Sequence, residues 1–237
     1  SGQIVKVLLS LNSDGYDYII PDEGEFFIGD YVYVPFRLKQ EVGVIISENN
    51  EPLGYDISKV KFISNKIDGY NLSQNQITFI KKVAEYNLSS LGNVLKMVIG
   101  FDSIFDNVKR EKKNINYIPS YSEVELTTEQ KNASIELSSK LNNGFSVSLL
   151  DGITGSGKTE VYMELIENVI AMNRQAILLI PEIALTYQTV LRFYKAFGDR
   201  VTFVNSKLSP GEKYDQFERA KRGEVDVVIG PRSALFV

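Results

Sequence analysis

The stretch Phe145–Thr159, Phe-Ser-Val-Ser-Leu-Leu-Asp-Gly-Ile-Thr-Gly-Ser-Gly-Lys-Thr, decides how half of this chain is read. Phe145–Leu150 alternates apolar and small polar residues and predicts a β-strand. Gly152–Thr159 matches G-x-x-x-x-G-K-[ST] in full, and Lys158–Met172 reads as an amphipathic helix. Strand, glycine loop and helix in that order make a phosphate-binding loop. Glycines let the backbone curl so that successive N–H groups converge on one phosphate. The helix N-terminus adds partial positive charge there. Gly152, Ile153, Thr154, Gly155, Ser156 and Gly157 are therefore candidate nucleotide contacts, with Glu160 just beyond them. Lys158 supplies a point charge for the β- and γ-phosphates, and Thr159 a hydroxyl for Mg²⁺. These two are the candidate catalytic residues.

Downstream the chain alternates strand and helix. Ala176–Ile180 reads as a strand stopped by Pro181, Leu185–Phe197 as a helix and Val201–Val204 as a strand. Glu212–Arg222 reads as a helix with Ser209 as cap and Pro210 at its first position, and Val225–Ile229 as a strand. This rhythm predicts a parallel sheet covered by helices. Upstream, short apolar runs at Ile4–Leu9, Tyr16–Ile20, Tyr31–Pro35 and Val42–Ile46 are split by Gly, Asp and Pro, which predicts a small β barrel or sandwich. From Ser73 the period becomes helical, and Leu91–Val98 reads as a second short helix. Phe101–Glu125 has no clear period and holds the basic cluster Lys109–Lys113, read as a solvated linker. The expected organisation is an α/β chain: a mainly-β domain with helices at 1–105, a linker at 106–125, and a P-loop lobe with a parallel sheet at 126–237.

Composition narrows the chemistry. The sequence of 237 residues has no Cys and no His, so it offers no disulfide, no Cys- or His-liganded zinc and no His-dependent triad. No apolar run is long enough to span a membrane, and the first residues lack a signal-peptide pattern. The net charge of −4 counts mildly against nucleic-acid binding, although local fields matter more than the sum.

Three further segments bear on what the nucleotide drives. Leu126-Thr127-Thr128-Glu129-Gln130 resembles the Q motif of superfamily 2 helicases, which implies an adenine-reading glutamine, and is explained equally by a capping box between Thr127 and Gln130. Pro181–Thr186 follows a strand, so free N–H groups of the next helix could face a phosphate, with Glu182 and Thr186 as candidates. Arg232 and Ser233, after the last strand, are candidate DNA-phosphate contacts.

In order and spacing, Asp151–Val161 ("DGITGSGKTEV"), "PEIALT", "NSKLSPGEK" and "IGPRSALF" resemble the PriA family (primosomal protein N′) of bacterial replication-restart helicases, members of superfamily 2. The front of the chain resembles that family's N-terminal DNA-binding domain at "YDYIIPDE", "GDYVYVPF" and "VGVIIS". The resemblance implies a RecA-like first lobe, truncated before the acidic Walker B pair, and an ATP-dependent 3′→5′ DNA helicase. It implies ATP and Mg²⁺ as cofactors, with zinc only in a further part of family members. It implies that Gln130 reads adenine, and that Tyr16, Asp17 and Lys59 hold a DNA 3′ end. The implied partners are forked and single-stranded DNA, single-stranded-DNA-binding protein and other primosome proteins, with no membrane, in the bacterial cytoplasm. The implied task is recognition of stalled or abandoned forks and initiation of primosome assembly. Without a Walker B pair, no turnover of ATP is expected from the residues given. Arg37 stands where the family often has Gly, Asn205 where it often has His and Pro231 where it often has Thr, and a winged-helix domain between the halves is expected to be absent or vestigial. Two other classes stay open: a DNA-binding module with a non-catalytic P-loop lobe, and a P-loop small-molecule kinase.

Overall fold

A computed structural model of the chain describes residues 2–50, 53–99 and 125–236. The expected linker 106–125 and the basic cluster Lys109–Lys113 lie, but for residue 125, outside the described residues. The described residues form two compact units, one on each side of that stretch.

The first unit is a six-stranded curled sheet with helices. Its strands are β1 (Ile4–Leu9), β2 (Tyr16–Ile19), β3 (Asp30–Phe36), β4 (Lys39–Glu48), β5 (Lys61–Phe62) and β6 (Asn65–Asn71), in spatial order β5-β2-β1-β4-β3-β6. All pairings are antiparallel except β2 with β5. Alternate residues of the strands turn Val5, Val7, Leu9, Tyr18, Val32, Val34 and Ile45 into one core, and Ile63 joins them. Each such side chain contributes roughly 1.5–3 kcal/mol by leaving water. β4 is longer than the expected Val42–Ile46, because its ends are polar and the ladder rather than hydrophobicity extends it. Strand β5 is two residues long and β6 is mostly polar with Ile67 its one buried residue, so neither shows an alternation that periodicity detects.

Helices α1 (Gln74–Tyr86) and α2 (Leu91–Ile99) follow. Ser73 caps α1 as expected, in a reciprocal capping box with Gln76. The start of α2 is tied to the turn after β1. Asp14 Oδ1 accepts from Leu91 N at 2.9 Å, and a Cβ on Gly92 would meet Leu11 O at 1.9 Å, so only glycine fits there.

The second unit is mixed α/β with a small parallel sheet. Its elements are α3 (Thr128–Lys140), α4 (Lys158–Ala171), β7 (Ala176–Leu179), α5 (Tyr187–Phe197), β8 (Val201–Phe203), α6 (Pro210–Lys221) and β9 (Val227–Gly230). The sheet has three strands in the order β7-β9-β8. Met163 and Ile166 of α4 and Phe193 and Phe197 of α5 pack on Val227 and Ile229 from one face. Ala220 of α6 and Ala234 cover Val228 from the other.

One expected strand is corrected. Phe145–Leu150 does not pair with any strand, and Phe145, Val147 and Leu149 are more than four-fifths exposed. The alternation F-S-V-S-L encodes an extended backbone, but a strand also needs a neighbour in the ladder. Neither edge of the sheet is met by this segment. Smaller differences are local: a 3-10 turn at Glu182–Ala184 delays α5 to Tyr187, and α6 begins at Pro210 rather than Glu212.

Candidate functional sites

The phosphate loop connects the extended segment to α4. Gly155 and Gly157 hold φ of 83° and 77°, the left-handed region that glycine enters without penalty. Gly157 is also the N-cap of α4, and no side chain caps that helix. By contrast, Ser73, Thr127, Thr186 and Ser209 cap α1, α3, α5 and α6. The first turn of α4 therefore has no side-chain acceptor at its start, which suits an anion there, while Glu160 N donates to Gly157 O at 3.1 Å. Lys158 Nζ donates to Gly152 O and, at 2.9 Å, to Ile153 O, so the cation lies along the loop. Thr159 stands beside it in the first turn. The loop's lower rim is closed by Ser156 N donating to Ile153 O at 3.2 Å, while Ile153 and Thr154 stay exposed. These residues fit the phosphates of a nucleoside triphosphate.

Gln130 does two things at once. Its Oε1 accepts from Thr127 N at 2.9 Å, completing a capping box, and its Nε2 donates to Ser156 O at 3.0 Å. The capping box expected between Thr127 and Gln130 is thus present, and the same side chain also ties α3 to the loop. A Cβ on Gly157 would lie 2.2 Å from Gln130 Nε2, so the glycine also makes room for this bond. Glu160 pairs with Arg192 of α5, which ties the helix after the loop to its neighbour. Arg192 was not singled out from sequence, because nothing local marks a partner that distant.

The strands β7, β8 and β9 are parallel, so the loops after them lie at one end of the sheet. Glu182 Oε1 accepts from Ser206 N at 3.0 Å, joining the loops after β7 and β8. That bond, with the Ser206 contacts dominant and Lys213 and Lys207 adding to them, holds the Glu182 carboxyl below its usual range. Thr186 caps α5 by accepting from Thr189 N at 3.3 Å. Arg232 and Ser233 are exposed in the 3-10 turn Arg232–Phe236. Asn205 Oδ1 accepts from Lys207 N at 2.9 Å and Leu208 N at 3.2 Å, folding the loop after β8. Pro231 O accepts from Ala234 N at 2.8 Å and starts the turn that carries Arg232.

In the first unit, Tyr16 and Asp17 are neighbours on β2 and leave it on opposite sides. Tyr16 is half-buried at the rim of the core, its ring 4.9 Å from that of Phe36, and the Arg37 guanidinium lies 5.5 Å from the Phe36 ring. Arg37 opens the two-residue turn between β3 and β4 with φ of 53°. Asp17 instead meets Asn49 Nδ2, at 2.9 Å, and the Tyr55 hydroxyl. Tyr55 keeps its proton, its pKa pushed up to about 12, first by the hydrogen bond to Asp17 and then by burial. Lys59 ends the short turn Ile57–Lys59, which Asp56 caps, directly before β5 joins β2. The structure therefore brings Asp17 together with Asn49 and Tyr55, and Tyr16 together with Phe36, over which Arg37 lies.

Comparison with known proteins adds two family matches. Residues 5–100 match the model of a 3′DNA-binding domain (3′BD), and residues 123–236 that of the type III restriction enzyme res subunit. Among similar proteins, the replication restart protein PriA of Rickettsia conorii is 35% identical over 241 residues, covering 99% of this chain and 35% of its own. The PriA proteins of Bacillus subtilis and Chlamydia trachomatis are 42% and 47% identical, over 56% and 39% of this chain and 16% and 12% of their own. The chain spans about a third of the length of the Rickettsia relatives.

Proposed function

The chain belongs to the family of the replication restart protein PriA, and we propose that it binds the 3′ end of a DNA strand at a fork with its first unit and ATP with its second. The intact protein would be an ATP-dependent 3′→5′ helicase that recognises stalled or abandoned forks and begins primosome assembly. In this reading Asp17 accepts a hydrogen bond from the terminal 3′-hydroxyl, Tyr16 offers a ring edge to the last base, and Lys59 neutralises a phosphate. Arg37 adds a second cation beside Phe36. Single-stranded-DNA-binding protein and primosome proteins would be the protein partners, and the bacterial cytoplasm the setting.

The observation that carries the ATP half is the uncapped start of α4 over a loop with two left-handed glycines. Backbone N–H groups of 152–159 would hold the phosphates, Lys158 would leave its two carbonyls for the β- and γ-oxygens, and Thr159 would ligate Mg²⁺. The ion, when bound, neutralises charge on the transferred phosphoryl group. Gln130 would exchange its bond to Ser156 for the adenine edge, so adenine binding would loosen the loop's tie to α3. At the far loops, Glu182 positions the turn after β8, Thr186 keeps the start of α5 in place, and Arg232 and Ser233 face strand phosphates.

In this reading these residues would bind nucleotide without turning it over, because among the described residues of the second unit no acidic pair follows β7, β8 or β9 to hold the metal and activate water. Titration of a fluorescent ATP analogue with Mg²⁺, followed by a phosphate-release assay with and without forked DNA, tests this. Saturable binding without release is expected. DNA-stimulated release by the purified chain would overturn the non-catalytic part, and absence of binding would overturn the nucleotide site.

A further inference from the structure

Asp17 holds two donors of different character. Asn49 reaches Oδ1 with its amide at 2.9 Å, and its own N–H donates to Ile4 O at 2.9 Å, which fastens it to β1. The other oxygen, Oδ2, takes the Tyr55 hydroxyl. Tyr55 belongs to no strand or helix; its side chain is half exposed, and the neighbouring Gly54 has open space around it. One partner of Asp17 is therefore fastened to β1, and the other reaches it from a half-exposed position outside any strand or helix, with open space beside it. A phenol hydroxyl and a deoxyribose 3′-hydroxyl present the same group to a carboxylate, one O–H donor.

We propose that Tyr55 is a built-in stand-in for the terminal hydroxyl: it covers Asp17 Oδ2 while no DNA is bound and yields that oxygen to a strand end bearing a free 3′-hydroxyl. The proposal rests on the reading of Asp17 as the 3′-end acceptor. Asn49 keeps the carboxylate oriented throughout, so the exchange needs no movement of β2. Since the phenol keeps its proton far above neutral pH, Tyr55 presents only a donor to Asp17, as the incoming hydroxyl does. An end that lacks the hydroxyl has nothing to offer Oδ2, so Tyr55 stays in place. The stand-in thereby holds back affinity for free ends and leaves that for blocked ends untouched.

The test uses the full chain and forked DNA whose strand at the branch ends in a 3′-hydroxyl or in a 3′-deoxy sugar, at one fixed salt concentration. Tyr55→Phe keeps the ring and removes only the donor. Its affinity for the hydroxyl fork should rise about fivefold, with the deoxy fork unchanged, and adding Asp17→Ala should cancel the gain. A preference for the hydroxyl end that is unchanged or smaller in Tyr55→Phe overturns the proposal, the smaller value meaning that Tyr55 serves the ligand rather than replaces it. The two failures separate. If wild type distinguishes the ends, and Asp17→Ala erases the difference while Tyr55→Phe leaves it alone, only the stand-in falls. If wild type binds both ends alike, the Asp17 reading falls and the stand-in with it. Circular dichroism of each variant confirms that the fold is kept, as the half-exposed site leads one to expect.

Discussion

At the residue scale, Lys158 is the simplest case. Its ammonium touches only two exposed loop carbonyls, so removing it takes little from the fold. Lys158→Ala should lower ATP-analogue affinity at least about tenfold, the scale of one charge-assisted contact, with the unfolding midpoint unmoved. Gly157→Ala should fail differently. The new Cβ would sit at φ of 77° and collide with Gln130 Nε2, so a strain of about 1–2 kcal/mol adds to a displaced glutamine. Reduced thermal stability together with lost nucleotide binding is the expected pair of results. A variant that binds normally would mean that the bond from Gln130 to Ser156 is dispensable. The phosphate loop was legible in sequence because its geometry comes from contiguous residues. Arg192, Asn49 and Tyr55 were not, because each owes its role to a partner tens of residues away.

At the element scale, caps and turns carried the signal that sequence reading used best. Ser73, Ser209 and the Thr127–Gln130 box all stand where side-chain chemistry alone placed them. Thr127→Ala should cost about 1 kcal/mol in α3, because it removes the hydroxyl that accepts from Gln130 N while the backbone N–H of residue 127 still donates to the Gln130 side chain, detectable by denaturant unfolding followed in the second unit. Arg37 is the opposite case. An arginine at φ of 53° in a two-residue hairpin occupies a conformation that suits glycine. Arg37→Gly should stabilise the first unit by up to about 1 kcal/mol, offset in part by the lost contact with Phe36. A lower unfolding midpoint would contradict the strain. The strand expected at Phe145–Leu150 shows the limit of such reading: alternation marks the backbone's tendency, while pairing depends on what lies alongside.

At the scale of the whole molecule, stability should be uneven. β9 lies between two strands and is buried along its length, whereas Phe145–Leu150 has no ladder bonds and exposes large apolar side chains. Amide exchange should therefore be fast across Ser146–Leu150 and slow across Val227–Ile229. Protection of equal strength in both would mean that the segment pairs in solution. The two units also differ in how far sequence exposed them. The alternation of strand and helix after Gly152 follows from local pattern, whereas the first unit's order β5-β2-β1-β4-β3-β6 rests on pairings that periodicity does not encode. The central claim is that the first unit reads a DNA 3′ end through Asp17. Fluorescence anisotropy with two forks, one ending in a 3′-hydroxyl at the branch and one in a 3′-phosphate, tests it most directly. Several-fold tighter binding to the hydroxyl fork, erased by Asp17→Ala, is the predicted result. Equal binding to the two forks, or a preference that survives Asp17→Ala, would contradict it.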